Sequence, residues 1–333
     1  MDRAVRRGRQ HLRELLMRTG ESVRMHGSRA LVGIAISMVA GGACIPDVEP
    51  NVFVLPRCEQ VAPACGPEAK ESCCAEGEVV GGQFNRLNDA SYPATVADFH
   101  LDRFEVTVGR FRQFVEGYPA TKPKAGAGAH PLIEGSGWDA AWDASLPAGK
   151  DELRASLQCD ANFRTWTDEP TGNEAAPINC VSWYLAFAFC AWDEGRLPTE
   201  AEWNYAAVGG NQHLAYPWGD EAPSEELAVY GCETTTTVCP IPPVGSKSPA
   251  GDGVWGQADL AGSLFEWVLD YHADLALTGN CVNCAALSDG GFGRGSRGGA
   301  FSHGEEALSP TYRIGELPER TLSFYGVRCA RGE

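Results

Sequence analysis

The residues best equipped for chemistry lie in the last third of this 333-residue chain. His303, Glu305 and Glu306 fall in one short stretch, and imidazole with carboxylates is a donor set that suits iron or zinc. The plainer reading, three polar residues of a surface loop, is preferred. Cys281-Val-Asn-Cys284 has the spacing of half a tetrahedral thiolate site for zinc. No second close Cys/His pair has ligand spacing, so a local disulfide is the better expectation. The chain carries 13 cysteines, a number suited to an oxidising compartment where they pair. Cys232 and Cys239 read as another local pair, and Cys58, Cys65, Cys73 and Cys74 crowd a proline-rich stretch. There is no Gly-Lys-Ser/Thr phosphate loop, no Gly-x-Ser-x-Gly elbow and no His-Glu-x-x-His.

Two further features bear on partners. Trp138, Trp142 and Trp166 stand in Gly/Pro/Asp-rich sequence off any periodic face; either they line a groove for peptide or glycan, or they cover loops in a domain short of helices. The formal net charge is -17 although residues 1–43 are basic, so the remainder is more acidic still. Such a surface repels phosphate backbones, and no nucleic-acid partner is expected.

The elements that must hold these residues are short. Val79–Phe84 has strand composition broken by a Gly pair, and Phe99–Thr107 alternates as a half-buried strand. Thr107 is placed to cap a helix with Val108, Phe111, Phe114 and Val115 on one face. Residues 117–150 show no period and read as a long surface insertion. Ser182 caps a buried amphipathic helix through Trp183, Ala186, Phe187 and Cys190, ended by Gly195. Thr199 with Glu202 forms a capping box for a second helix, through Trp203 to about Val208. The expected class is α+β with little regular structure.

Phe104-Glu-Val-Thr107, Pro177-Ile-Asn-Cys-Val-Ser-Trp183, Arg196-Leu-Pro-Thr-Glu-Ala-Glu-Trp203, Tyr216-Pro-Trp-Gly219, Ala258-Asp-Leu-Ala-Gly-Ser-Leu-Phe-Glu-Trp267, Arg297-Gly-Gly-Ala-Phe301 and Tyr325-Gly-Val-Arg-Cys329 follow one another along the chain. In type and order they resemble the formylglycine-generating (sulfatase-modifying factor) enzyme family. The resemblance implies that family's C-type-lectin-like fold and a disulfide between Cys190 and Cys329. The second family bridge would start at Ala207 and is therefore not expected; Cys159 with Cys180 is the suggested replacement. It further implies a structural Ca²⁺ site formed by Asp259, the carbonyls of Gly262 and Leu264, and Glu266, since hard Ca²⁺ takes oxygen ligands from a flexible loop. A second family calcium site falls on Ala228–Gly231, where Val229 replaces the expected Asn. The family's catalytic cysteine pair, which binds Cu(I), is missing: His303 stands at the first position and Leu308 or Ser309 at the second, so copper is not expected.

The apolar run Ala30–Ala40 is too short to span a bilayer and reads as the core of a signal peptide over residues 1–43, with Met25 as an alternative start. Small residues before Cys44 suggest a bacterial lipoprotein cleavage site with Cys44 lipidated; secretion after cleavage at Ala43 is the alternative. Residues 44–77 are expected to form a Cys/Pro-rich spacer and 78–331 the domain. The function expected is that of an exported, membrane-anchored and catalytically divergent domain acting as a peptide- or glycan-binding or accessory module, attached to the membrane through its lipid alone. The alternative is a formylglycine-generating-type oxidoreductase or oxygenase using other metal ligands on a protein cysteine or another peptide.

Overall fold

The computed structural model describes residues 52–54, 64–232, 240–273 and 280–332. The signal-peptide segment, Cys44 and Cys239 lie outside them.

Strand β1 (Val52–Val54) pairs antiparallel with β2 (Ala75–Val79). β2 pairs with β5 (Phe99–Asp102), and β5 with β11 (Ala330–Gly332). The first sheet thus runs β1-β2-β5-β11 and draws sequence from both ends of the domain. A second sheet holds β10 (Tyr325–Gly326), β6 (Phe265–Tyr271), β8 (Arg294–Arg297) and β9 (Ile314–Glu316) in that order. A third has β3 (Gly82–Asn85), β4 (Pro93–Val96) and β7 (Cys281–Val282). Of the Gly pair in Val79–Phe84, Gly81 lies in the connection between β2 and β3 and Gly82 opens β3.

Helix α1 (Val108–Gly117) begins where Thr107 accepts the Arg110 N–H, and it buries Val108, Phe111, Phe114 and Val115. Helix α2 (Lys150–Ser156) has a glycine at its N-cap and buries Leu153. Helix α3 (Trp183–Trp192) starts at Ser182, which accepts the Leu185 N–H. It is not amphipathic as expected: Leu185 to Cys190 are all buried, because α1, β6 and the 117–150 insertion close on different sides of it. Helix α4 (Glu200–Ala207) carries the expected capping box, Thr199 accepting the Glu202 N–H and Glu202 the Thr199 N–H.

Two expectations change. The insertion is not a surface excursion, since Tyr118, His130, Trp138 and Leu146 are buried. Trp138 and Trp166 are 2% and 1% exposed, and Trp142 packs edge-on against Trp138, Trp183 and Phe187 at 5.1 to 5.8 Å. The indole N–H groups of Trp138 and Trp166 donate to Asp143 and Asp168, which is how rings in a polar sequence become core. Trp138 and Trp166 are therefore core rings, while Trp142 stays partly exposed and Trp166 edges an open cavity with Arg154, Arg164 and Asp168. Within the segment expected as a Cys/Pro-rich spacer, residues 44–77, the part from Ala64 onward packs on the domain. Cys65 and Cys73 are bridged and buried against Phe104, Val244 and Ala258.

Disulfides join Cys190 to Cys329, Cys159 to Cys180, and Cys281 to Cys284. Cys74 and Cys232 are also bonded. No helix among the described residues is long and apolar enough to cross a membrane.

Candidate functional site

Beyond β8 the backbone turns through Gly298 and Gly299, whose φ values of 98° and 76° lie where a side chain is strained. A Cβ on Gly299 would also stand 2.7 Å from the Ala307 carbonyl oxygen. The turn sends Ala300 and Phe301 into the core and brings His303 to the surface, half-buried. The His303 ring meets Phe265 edge-on at 4.8 Å and Phe324 at 5.3 Å. Its Nδ1 lies 3.3 Å from the Ser302 hydroxyl. Burial pulls its pKa down, with Glu306 opposing, so the imidazole is neutral at pH 7. Tyr312 and Phe163 border the same aromatic cluster through Phe265 and Phe301.

Glu305 and Glu306 are exposed at the start of a short 3-10 turn, Glu305–Leu308. Glu305 takes a hydrogen bond from the Tyr230 hydroxyl. Leu308 is buried with Ala228 and Ala261, and Ser309 shares a 2.8 Å hydrogen bond with Thr311. Hence neither position facing His303 in sequence offers a soft ligand. Every cysteine among the described residues is disulfide-bonded, and among these residues no three His, Cys, Asp or Glu side chains are arranged to hold a metal ion. The residues present do not fit a thiolate copper centre.

The loop Asp259–Glu266 lies immediately beside this segment: the Gly262 N–H donates to Gly298, and the Phe301 N–H to Ser263. Asp259, Gly262 and Ser263 all have positive φ, between 58° and 84°. Asp259 accepts the Gly245 N–H at 2.6 Å. Glu105, from the stretch between β5 and α1, accepts the Ser263 hydroxyl and the Leu264 N–H. Burial first, then Asp259 and Glu266, push the Glu105 carboxyl well up despite Arg328. Burial likewise lifts Asp259 to about 6. Two buried carboxyls that resist ionising are what a cation would relieve, so Asp259 with the carbonyls of its loop suits an oxygen-seeking ion. Glu266 is otherwise engaged. Its oxygens accept from Arg328 Nη2 at 2.7 Å, Arg328 Nε at 2.9 Å and Trp203 Nε1 at 2.7 Å. At the second family position, the Val229 carbonyl takes the Ser263 N–H.

Residues 61–333 match the sulfatase-modifying factor enzyme 1-like domain. The chain belongs to that family. Across 72% of its length it is 28% identical to a Bos taurus member named inactive C-alpha-formylglycine-generating enzyme 2, covering 78% of that protein. Identity is also 28% to the formylglycine-generating enzyme of Streptomyces coelicolor, over 80% of this chain and 92% of the relative. The chain spans about a quarter of the length of the chlamydial kinases that it also matches, 24% for pkn1 of Chlamydia caviae. The structure of PvdO from Pseudomonas aeruginosa superposes with a TM-score of 0.57 at 18% identity, covering 86% of this chain and 99% of that one, a likeness of fold.

For the sulfatase-modifying factor domain, the motif order located His303 and the Asp259 loop. It missed Glu105 and Arg328, which set the charge around that loop, Trp203, whose indole N–H donates to Glu266, and Phe265 and Phe324, which enclose His303. Glu105, Trp203, Phe265 and Arg328 sit inside quoted motifs, and no spacing rule joins Glu266 to Arg328, 62 residues on.

Proposed function

We propose that this domain has kept the scaffold of the formylglycine-generating enzymes without their copper chemistry and works as a peptide-binding or accessory module. The observation that carries the reading is His303: a neutral imidazole wedged between Phe265 and Phe324 where the family has a metal-binding thiol, followed by a buried Leu308 and a hydrogen-bonded Ser309. Partly buried Phe163, Tyr312 and Phe324 around it offer flat apolar contact with polar edges, which suits a peptide in an extended conformation. A relative that carries the word inactive in its name supports the same direction.

The test is to incubate the purified chain with a Cys-x-Pro-x-Arg peptide under oxygen with added Cu(I), and to follow peptide mass and metal content. Unchanged peptide and no bound copper are expected. Stoichiometric copper with aldehyde formation overturns the reading in favour of an oxidoreductase with other ligands.

Calcium is part of the proposal, held by Asp259 and the carbonyls of Gly262 and Leu264, with a structural role. Thermal melts in calcium and in chelator should differ, and Asp259→Ala should abolish the difference; equal melts for the parent protein overturn it. Lipidation of Cys44 is proposed from the sequence and is checked by the mass of the N-terminal peptide of the mature chain.

A further inference from the structure

Cys281 and Cys284 are separated by only 3 positions, so their bridge constrains the unfolded chain least among the described disulfides. A staple is therefore a weak account of it. Its surroundings differ from those of the others. Cys281 is fully buried in β7, where it pairs with Ala94 and packs on the core with Val79 and Phe84. Cys284 is partly accessible, and between them Val282 is 59% exposed at the tip.

On its inner side Cys284 lines a cavity with Arg86, Glu200, Asp270 and Arg313, with space for about one water molecule. The Asp270 carboxylate accepts the Ala286 N–H, two residues past Cys284, and the Glu200 N–H, both at 2.8 Å. Arg313 pairs with Glu200, and Arg297 reaches the same carboxylate. One sulfur within reach of solvent, a buried partner sulfur, guanidinium groups that favour a thiolate, and a buried carboxyl form an arrangement suited to thiol–disulfide exchange.

We infer that Cys281–Cys284 is a redox-active disulfide that exchanges with thiols of a peptide or protein, with Cys284 as the sulfur attacked. The substrate thiolate bonds to Cys284 Sγ as the S–S bond breaks, and Cys281 leaves as a thiolate that takes up a proton. A second substrate thiol, losing its proton, attacks the substrate sulfur of the mixed disulfide and releases Cys284. Two substrate thiols become a disulfide, and their two electrons rest in the Cys281/Cys284 dithiol. A low-molecular-weight disulfide such as oxidised glutathione restores the bridge by the reverse exchange. Asp270 lines the same cavity, and burial, then the charge of Glu200, lifts its carboxyl to about 7.

The test uses the full-length chain equilibrated in graded reduced and oxidised glutathione, quenched with acid, then unfolded, alkylated and mapped by mass spectrometry, so that buried thiols such as Cys281 are also counted. The Cys281/Cys284 pair should be reduced at least tenfold earlier in the glutathione ratio than Cys159–Cys180, which also has a partly accessible member, and than Cys190–Cys329. Cys281→Ser, leaving Cys284 free, should accumulate a mixed disulfide with a thiol peptide activated by a disulfide leaving group, and Cys284→Ser should do so at least tenfold more slowly. Reduction of Cys281/Cys284 together with the other bridges, or equal trapping by the two variants, overturns the inference. The glutathione titration needs no variant, so a folding defect in either leaves the question decidable. The readout is also independent of copper or peptide binding at His303.

Discussion

Asp270 and Glu202 are buried carboxyls at the two sides of the α4 N-terminus, and they respond to pH in opposite senses. Burial raises Asp270 to about 7. A carboxyl raised in the folded state holds a proton that the unfolded chain releases from about pH 4 upward, so stability falls between about pH 4 and 7. Burial alone would raise Glu202 as well, but bidentate Arg196 and the hydrogen bond with His130 hold it at about 2. Its contribution is complete above about pH 4.5 and is lost as the pH falls toward 2. Asp270→Asn should make the decline from pH 4 to 7 shallower in a series of urea unfolding curves, with Asp259 and Glu105 still contributing to it, while leaving the acid limb in place. A second comparison concerns the pair Glu266 and Arg328, both without solvent exposure. Glu266→Gln leaves a buried guanidinium short of its counter-charge and should cost about 3 kcal/mol. Arg328→Met should cost more, because the carbonyls of Asp102, Arg103 and Ala258 also lose their donor. Equal costs would mean that the ion pair alone matters.

Among the elements, bridges of different span separate structural from chemical roles. The Cys190–Cys329 bond ties α3 to the segment between β10 and β11 across 139 positions. Converting both residues to alanine should lower stability by about 2–5 kcal/mol, and removing Cys281 and Cys284 together by under about 2 kcal/mol, measured by chemical denaturation. The first pairing was implied by the family resemblance, and three of the helices were legible from their capping side chains: Thr107 and Ser182 stand directly before apolar positions, and Thr199 forms a capping box with Glu202. α2 was not legible: its N-cap is Gly149 and it buries Leu153 alone, so it shows neither a cap nor a stripe. The two-residue β7 exists through its pairing with β4, a tertiary fact. Trp138, Trp142 and Trp166 misled for a related reason. Their neighbours in sequence are polar, while their neighbours in space are Trp183, Phe187 and the guanidinium of Arg112. At the site, motif order found His303, but the rings that enclose it come from β6 and from Phe324 beside β10.

For the whole molecule, the decisive contact is β11 against β5. Arg331 from β11 pairs with Glu76, Asp102 and Asp193, and Asp102 and Asp193 also bind Arg110 of α1. All these groups are buried or nearly so, so the final strand supplies the second of two guanidinium groups to three carboxyls from β2, β5 and the end of α3. A chain ending at Cys329 should leave Asp102 and Asp193 sharing Arg110 alone, and should elute expanded in size-exclusion chromatography with loss of the cooperative melt. Elution and melting equal to those of the longer chain would show that the network is dispensable. The same topology bears on timing. During synthesis, or in any passage through a narrow channel with the N-terminus leading, β2 and β5 arrive more than two hundred residues ahead of their last partner. The domain must therefore wait open, its thiols and sheet edge accessible to helpers, and it latches only when its final strand is delivered.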